Sequence, residues 1–147
     1  MLTVIEKVIF LQNVDVFLEV PTEQLAYLAA IAEEIAFLKG DDIYKTEESS
    51  DAMYLVLEGK VKLHRDGEEI TLAGEKEVFG TWALFDEELR IVTATAIEDS
   101  KLLRIDREDF YDLLADNVQI TQGILKTLVK RMRNLIDRVS LDPADKK

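Results

Sequence analysis

The spacing of hydrophobic and polar positions changes twice along the chain. Residues 2–19 carry mixed helical spacing, and Pro21-Thr22 then interrupts it. Thr22 is placed to cap a helix, with Glu23 in the first turn favouring the helix dipole. Leu25, Leu28, Ala32 and Ile35 follow at helical spacing. Gly40 closes either that helix or a short extended piece behind it.

In the middle of the chain the period falls to two. Met53, Leu55 and Leu57 alternate with Tyr54 and Val56, which predicts a strand apolar on both faces. Val61 and Leu63 alternate with Lys60, Lys62 and His64, as in a half-exposed strand. Asp66-Gly67 is a hairpin signal, and Glu69 to Leu72 return from it. Ile91 to Ala96 and Leu102 to Ile105 are further β-rich stretches. Short strands this close together predict a small antiparallel barrel or roll. The Glu47 to Asp51 cluster reads as a surface loop between strands.

The last third returns to helical spacing. Asp106 is a good N-cap, and Asp109 three residues on suggests a capping box. Phe110, Leu113 and Leu114 form one apolar side, Asn117 breaks the helix, and a long helix follows from about Val118 to about Val139. Pro143 lies beyond it. Leu125, Leu128, Met132, Leu135 and Val139 step by three and four, the spacing of a coiled-coil seam, so a homodimer through residues 118–139 is expected. Ile120, Ile124 and Ile136 offer a second apolar side for packing on the chain's own roll. Lys126, Lys130, Arg131, Arg133 and Arg138 make this helix basic, with acidic patches of a neighbouring subunit or of the same domain as their expected partners.

Composition narrows the function. At 147 residues one domain is expected. Acidic residues outnumber basic ones by 30 to 18, a net charge of −12, so nucleic acid and anionic membrane surfaces are not expected partners. Apolar runs such as Val8 to Leu11 fall far short of the roughly 20 residues of a membrane span. Glu6 within the first apolar stretch and the lack of a small-residue cleavage site argue against a secretory signal. Cysteine is absent, which fits a reducing, cytoplasmic setting and rules out disulfides and thiol chemistry. Ser49, Ser50, Ser100 and Ser140 lack a nucleophile's context, and His64, the only histidine, cannot build a metal triad. Neither catalysis, nor a metal, nor a cofactor is expected.

Helices, then a β-roll, then two helices resemble the cyclic nucleotide-binding domain family. Gly40-Asp41-Asp42-Ile43-Tyr44 is similar to the family's Gly-acidic-x-Ile-aromatic start of a strand. Asp51 to Val61 resembles its Asp-x-x-Tyr-x-x-x-x-Gly-x-Val signature, with Gly59 at a bend. The stretch 79–93 falls on the family's phosphate-binding cassette. The resemblance implies an α+β fold, an antiparallel β-roll of jelly-roll type over 40–106. N-terminal helices over 1–39 and two C-terminal helices over 107–140 flank it, all within one domain over 1–147.

The resemblance also implies a ligand site at Phe79, Gly80, Thr81, Trp82, Ala83, Arg90 and Ile91. Phe79, Gly80, Ala83 and Leu84 match the cassette, Arg90 falls on its phosphate-binding Arg, and Thr93 on the Thr of the next strand. Thr81 stands where the family has the Glu that accepts from the ribose 2′-hydroxyl. Trp82, Leu89, Ile91 and Val92 also depart, the last two narrowing the pocket. The implied ligand is a cyclic nucleotide or other small anion, bound weakly, and the implied output is a movement of the C-terminal helices that signals to an effector.

The chemistry agrees with this reading. A cyclic phosphate is a singly charged diester that needs close backbone approach, which Gly permits, and one cation. The alternative for Arg90 is an ion pair with Asp86, Glu87 or Glu88. Trp82 is open to two readings, a stacking residue of the site or a core residue. Tyr54 reads as core. Because the chain stops at Lys147, a DNA-reading element is not expected within it, and an effector would lie in a longer parent protein. A ligand-free dimerisation or protein-interaction module of the same fold is the alternative.

Overall fold

Each period-two segment needs a buried face, and two four-stranded antiparallel sheets supply it. A computed structural model describes residues 1–139. Ser140 and Pro143 lie outside the described residues. In chain order the elements are α1 (Val4–Leu11), α2 (Thr22–Ile31), β1 (Glu33–Phe37), β2 (Asp42–Tyr44), β3 (Ala52–Glu58), β4 (Val61–Arg65), β5 (Glu68–Ala73), β6 (Val78–Phe79), β7 (Thr93–Ala96), β8 (Ser100–Asp106), α3 (Arg107–Asp116) and α4 (Val118–Val139). Two 3₁₀ turns, Asp15–Phe17 and Thr81–Leu84, complete them. The sheets run β1-β8-β3-β6 and β2-β7-β4-β5. This is the expected α+β roll flanked by helices at both ends.

The apolar character of both faces of β3 has a direct cause. Met53, Leu55 and Leu57 join a core shared with the helices, including Phe17, Leu28, Phe110 and Ile120. Ala52, Tyr54 and Val56 face a second core between the sheets, with Tyr44, Val61, Phe79 and Ala94. The Asp66-Gly67 turn has φ of 52° and 81°, so both residues sit in the left-handed region that a tight hairpin demands.

Helix ends follow local chemistry. At α1, Thr3 Oγ1 accepts from the Glu6 amide at 3.2 Å while Glu6 Oε1 accepts from the Thr3 amide at 3.1 Å, a complete capping box. At α3, Asp106 Oδ1 accepts from the amides of Glu108 and Asp109, a cap without the reciprocal bond among the described residues.

Two helix expectations need correction. Thr22 is the first helical residue and caps nothing; Pro21 holds the cap position without a side-chain bond. The helix also stops at Ile31, and Ile35 lies in β1, paired with Leu102 of β8. Helical spacing in Leu25 to Ile35 is overridden because β8 would otherwise end the sheet as an open edge, and five residue pairs from Glu33 to Phe37 cover it. Gly40, at φ 94°, therefore follows an extended piece.

α4 docks by its first half only. Ile120, Gly123, Ile124 and Thr127 are buried against the 3₁₀ turn Asp15–Phe17 and its neighbours. Gly123 makes this approach possible, since a Cβ there would sit 2.7 Å from Val20 Cα and 2.8 Å from the Glu19 carbonyl. Lys130 pairs with Glu19 at 2.9 Å and Arg131 with Asp15 at 3.0 Å, so two of the basic residues find acidic partners on the same domain. From Val129 to Val139 every residue is exposed. Ile136 is among them, so the second apolar side ends at Ile124. Among the described residues no helix is long and apolar enough to cross a membrane.

Candidate functional site

β6 delivers the chain to Gly80, whose φ of 72° turns it sharply into the 3₁₀ turn Thr81–Leu84. Its tight start also brings Gly80 against Arg90: a Cβ on Gly80 would lie 2.7 Å from Arg90 Nη1 and 3.5 Å from the Tyr44 hydroxyl. Glycine here leaves room for a guanidinium.

Arg90 is 7% exposed. Its backbone is clipped to the Glu47-Glu48 loop, accepting from the Glu47 amide at 2.7 Å and donating to the Glu48 carbonyl at 2.8 Å. Its side chain donates from Nη2 to the Ala52 carbonyl at 2.7 Å and lies over the Tyr44 ring, with Cζ 3.9 Å from the centroid. The nearest carboxylate contact is Asp51, at 4.0 Å and shared with Arg104 at 3.4 Å. Arg90 Nε is buried and has no acceptor. The alternative pairing with Asp86, Glu87 or Glu88 is not formed, because Arg90 points toward the start of β3 and the loop carboxylates do not reach it. A buried cation keeping a spare donor is costly unless something else pairs with it.

Burial pushes the Tyr44 hydroxyl up to about 12, against the opposing pull of Arg90 and with a smaller push from Tyr54. Tyr44 is therefore neutral at physiological pH and keeps a proton to donate.

A cavity of about 750 Å³ opens over this arrangement. That is the size of a small-molecule site. Gly80, Thr81, Trp82, Ala83, Arg90 and Ile91 border it, together with Tyr44. Phe79 does not: it is buried behind the wall, stacked on Tyr54 with centroids 5.3 Å apart, as a core residue. Ile91 and Val92 line the cavity without closing it. Trp82 is 73% exposed at the lip, so its reading as core is wrong. The chain leaves Gly80 into a surface turn, where Ala83 and Leu84 take the buried positions. Trp82 also borders a second cavity of about 210 Å³ beside Leu128 and Arg131 of α4. The Ala83 amide donates to the Gly80 carbonyl at 3.1 Å and is not available to an anion.

Charge around the cavity is mixed. Asp86, Glu88, Glu47 and Arg65 border it. The acidic loop is held down: Ser50, buried within its surface loop, donates from Oγ to the Glu88 carbonyl, and Ser49 bridges to Leu89. Thr93 uses its hydroxyl on Thr46, at 3.0 Å from both the amide and Oγ1. His64 lies away from the cavity, bonding through Nε2 to Thr95 Oγ1 at 2.8 Å, while Thr95 donates to Asp42. Among the described residues no group of three or more His, Asp or Glu is placed to hold a metal.

Three residues at the site went unread in the sequence: Tyr44 as the floor under Arg90, Glu47 on the wall, and Arg107. Arg107 carried a signal. It is a cation in the first turn of a helix, where the dipole disfavours it. Such a residue needs a tertiary reason, and Nη1 of Arg107 donates to the carbonyls of Ser50, Ala83 and Asp86 at 2.6, 3.1 and 2.9 Å.

Fold and site together define a β-roll with a small-molecule-sized cavity, walled by a glycine turn and a buried arginine. The chain belongs to the cyclic nucleotide-binding domain family, whose sequence model matches residues 34–117. It is 29% identical over 141 residues to a CRP-like cAMP-activated global transcriptional regulator of Mycobacterium tuberculosis, covering 90% of this chain and 63% of that one. It is 35% identical over 114 residues to the cyclic AMP receptor protein of Thermus thermophilus, covering 72% of this chain and 53% of that one. The chain thus spans less than two thirds of these relatives. Among solved structures, the N-terminal domain of a transcriptional regulator from Streptomyces coelicolor superposes with a TM-score of 0.82 at 29% identity, covering 91% of this chain and 97% of that one.

Proposed function

We propose that this chain is a non-catalytic sensor domain that binds a cyclic nucleotide, more weakly than a site bearing the family's Glu, and signals through its C-terminal helix. The observation that carries the reading is Arg90: a buried guanidinium bordering a 750 Å³ cavity, with no carboxylate among the described residues nearer than 4.0 Å. A phosphodiester supplies the compensating charge. The Gly80 turn leaves room beside it, and the neutral Tyr44 hydroxyl adds a donor. Two relatives named for cyclic AMP support the ligand class. The setting is the cytoplasm, and the effector belongs to a longer parent protein.

Calorimetry with cyclic AMP, cyclic GMP and non-cyclic AMP tests this. Heat with a cyclic ligand and none with AMP is the expected outcome, and silence with all three rejects it.

Relatives named as transcriptional regulators set the expectation about nucleic acid in context. At net charge −12 these 147 residues themselves make no stable duplex contact at physiological salt.

The second reading, a ligand-free dimerisation module, rests on the exposed side of α4. Leu125, Met132, Leu135 and Val139 are all more than half exposed, and Leu128 is half-buried against the helical core. The seam is free to meet a second copy, and both readings share it. Met132→Glu is expected to convert a dimer to a monomer with unchanged unfolding midpoint at low concentration. Light scattering that finds the unmutated chain monomeric at high concentration rejects the dimer.

A further inference from the structure

We infer that Arg107 is the positioning residue of the anion site, holding the loop Ala83–Asp86 in its binding shape and tying it to the start of α3. The inference deepens the cyclic nucleotide reading and rests on it for the ligand.

Three consecutive carbonyls, Ser50 to Ala52, lead into β3 and accept from two arginines. Ser50 accepts from Arg107 Nη1, Asp51 from the Arg107 amide at 2.8 Å, and Ala52 from Arg90 Nη2. The Asp51 carboxylate lies between Arg90 and Arg104. The cation that would meet the phosphate and the first residue of α3 therefore grip the same three-residue segment. From there Arg107 reaches the carbonyls of Ala83 and Asp86, the last part of the 3₁₀ turn and the start of the acidic loop. Neither carbonyl has a place in either sheet. A half-buried guanidinium that serves three carbonyls replaces the ladder bonds that such a loop lacks.

Position and charge both matter. The loop carries Asp86, Glu87 and Glu88, which repel one another and repel a phosphate. A cation fixed under the loop offsets part of that repulsion, and two bonds to its backbone, with a third to Ser50, keep the segment from moving across the cavity mouth. Because the same residue begins α3, a displacement of the loop is felt at the helix that leads into α4. Arg107 acts through the loop and does not touch the anion.

The test uses the full chain and the variants Arg107→Ala and Arg107→Lys. Amide hydrogen exchange without ligand is expected to speed up at least tenfold over residues 83–88 in R107A, with β3 and β8 amides unchanged. Lysine, which has three N–H donors on a point charge, recovers part of the protection. Cyclic AMP titrations, followed by emission of Trp82, the only tryptophan, are expected to show R107A binding at least tenfold more weakly and R107K in between. Loop exchange equal to the unmutated protein overturns the inference, as does faster exchange with affinity changed less than twofold. If R107A fails to fold, R107K decides: a several-fold rise in loop exchange supports the role, and none overturns it. If the unmutated chain binds no cyclic nucleotide, the ligand reading falls, while the exchange experiment still decides whether Arg107 holds the loop.

Discussion

Arg90→Ala is expected to abolish measurable cyclic nucleotide binding, a loss of more than a hundredfold in calorimetry, while the domain stays folded. The first half follows from charge. The anion would sit beside one buried cation, and charge-assisted hydrogen bonds contribute about 1.5–3 kcal/mol each, so losing a bidentate pair removes two or more factors of ten. Arg65 and the exposed rim cannot substitute, because solvent screens them. The second half follows from opposing terms of similar size. Alanine forfeits the bond to the Ala52 carbonyl and the contact with the Tyr44 ring, together a few kcal/mol. It also removes a buried charge with an orphaned Nε, whose desolvation penalty is several kcal/mol. The net change in stability is therefore small, and a urea midpoint close to that of the unmutated protein checks it. Arg90→Lys keeps the charge without the planar fork and should retain weak binding. Tight binding that survives Arg90→Ala would place the ligand elsewhere.

What the sequence showed depended on how local the physics was. Strand β3 was legible because its six apolar residues serve two cores at once, and alternation records that directly. The hairpin at Asp66-Gly67 was legible because the left-handed backbone restricts residue choice. β1 was not: Glu33 to Phe37 carries weak preferences either way, and only the exposed edge of β8, some seventy residues away in the chain, makes it a strand.

The site divided along the same line. The cassette's spacing placed six of its seven named residues on one cavity. Phe79 was misassigned because a residue one step from Gly80 can face either side of the wall, and its ring chose Tyr54. Of the two readings open for Arg90, the ion pair with its acidic sequence neighbours is not formed, because the backbone clips at Glu47 and Glu48 turn the side chain toward Ala52. Trp82, open in the sequence between site and core, lies at the lip because a one-turn 3₁₀ segment on a surface has only one inner side, which Ala83 and Leu84 take.

Thr81→Glu is expected to tighten cyclic AMP binding about ten- to a hundredfold. Thr81 begins the 3₁₀ turn, borders both cavities, and its hydroxyl has no hydrogen bond among the described residues. A ligand hydroxyl therefore meets no strong acceptor at this position. A carboxylate would accept from the ribose 2′-hydroxyl, a charge-assisted bond of about 1.5–3 kcal/mol. The counter-effect is repulsion between the new carboxylate and the phosphate in a cavity already bordered by Asp86, Glu88 and Glu47. That term acts across solvent-exposed groups and is screened within about 8 Å at physiological salt, so it reduces the gain without reversing it. The ligand supplies its own control. With 2′-deoxy cyclic AMP the substitution has no hydroxyl to bind, and the screened repulsion alone remains, so affinity should fall slightly below that of the unmutated chain. Raising salt should then recover the deoxy ligand's affinity and leave most of the gain for cyclic AMP. An equal gain for both ligands would show that Thr81 acts on the shape of the turn, and a loss for cyclic AMP would show that the ribose edge faces another wall.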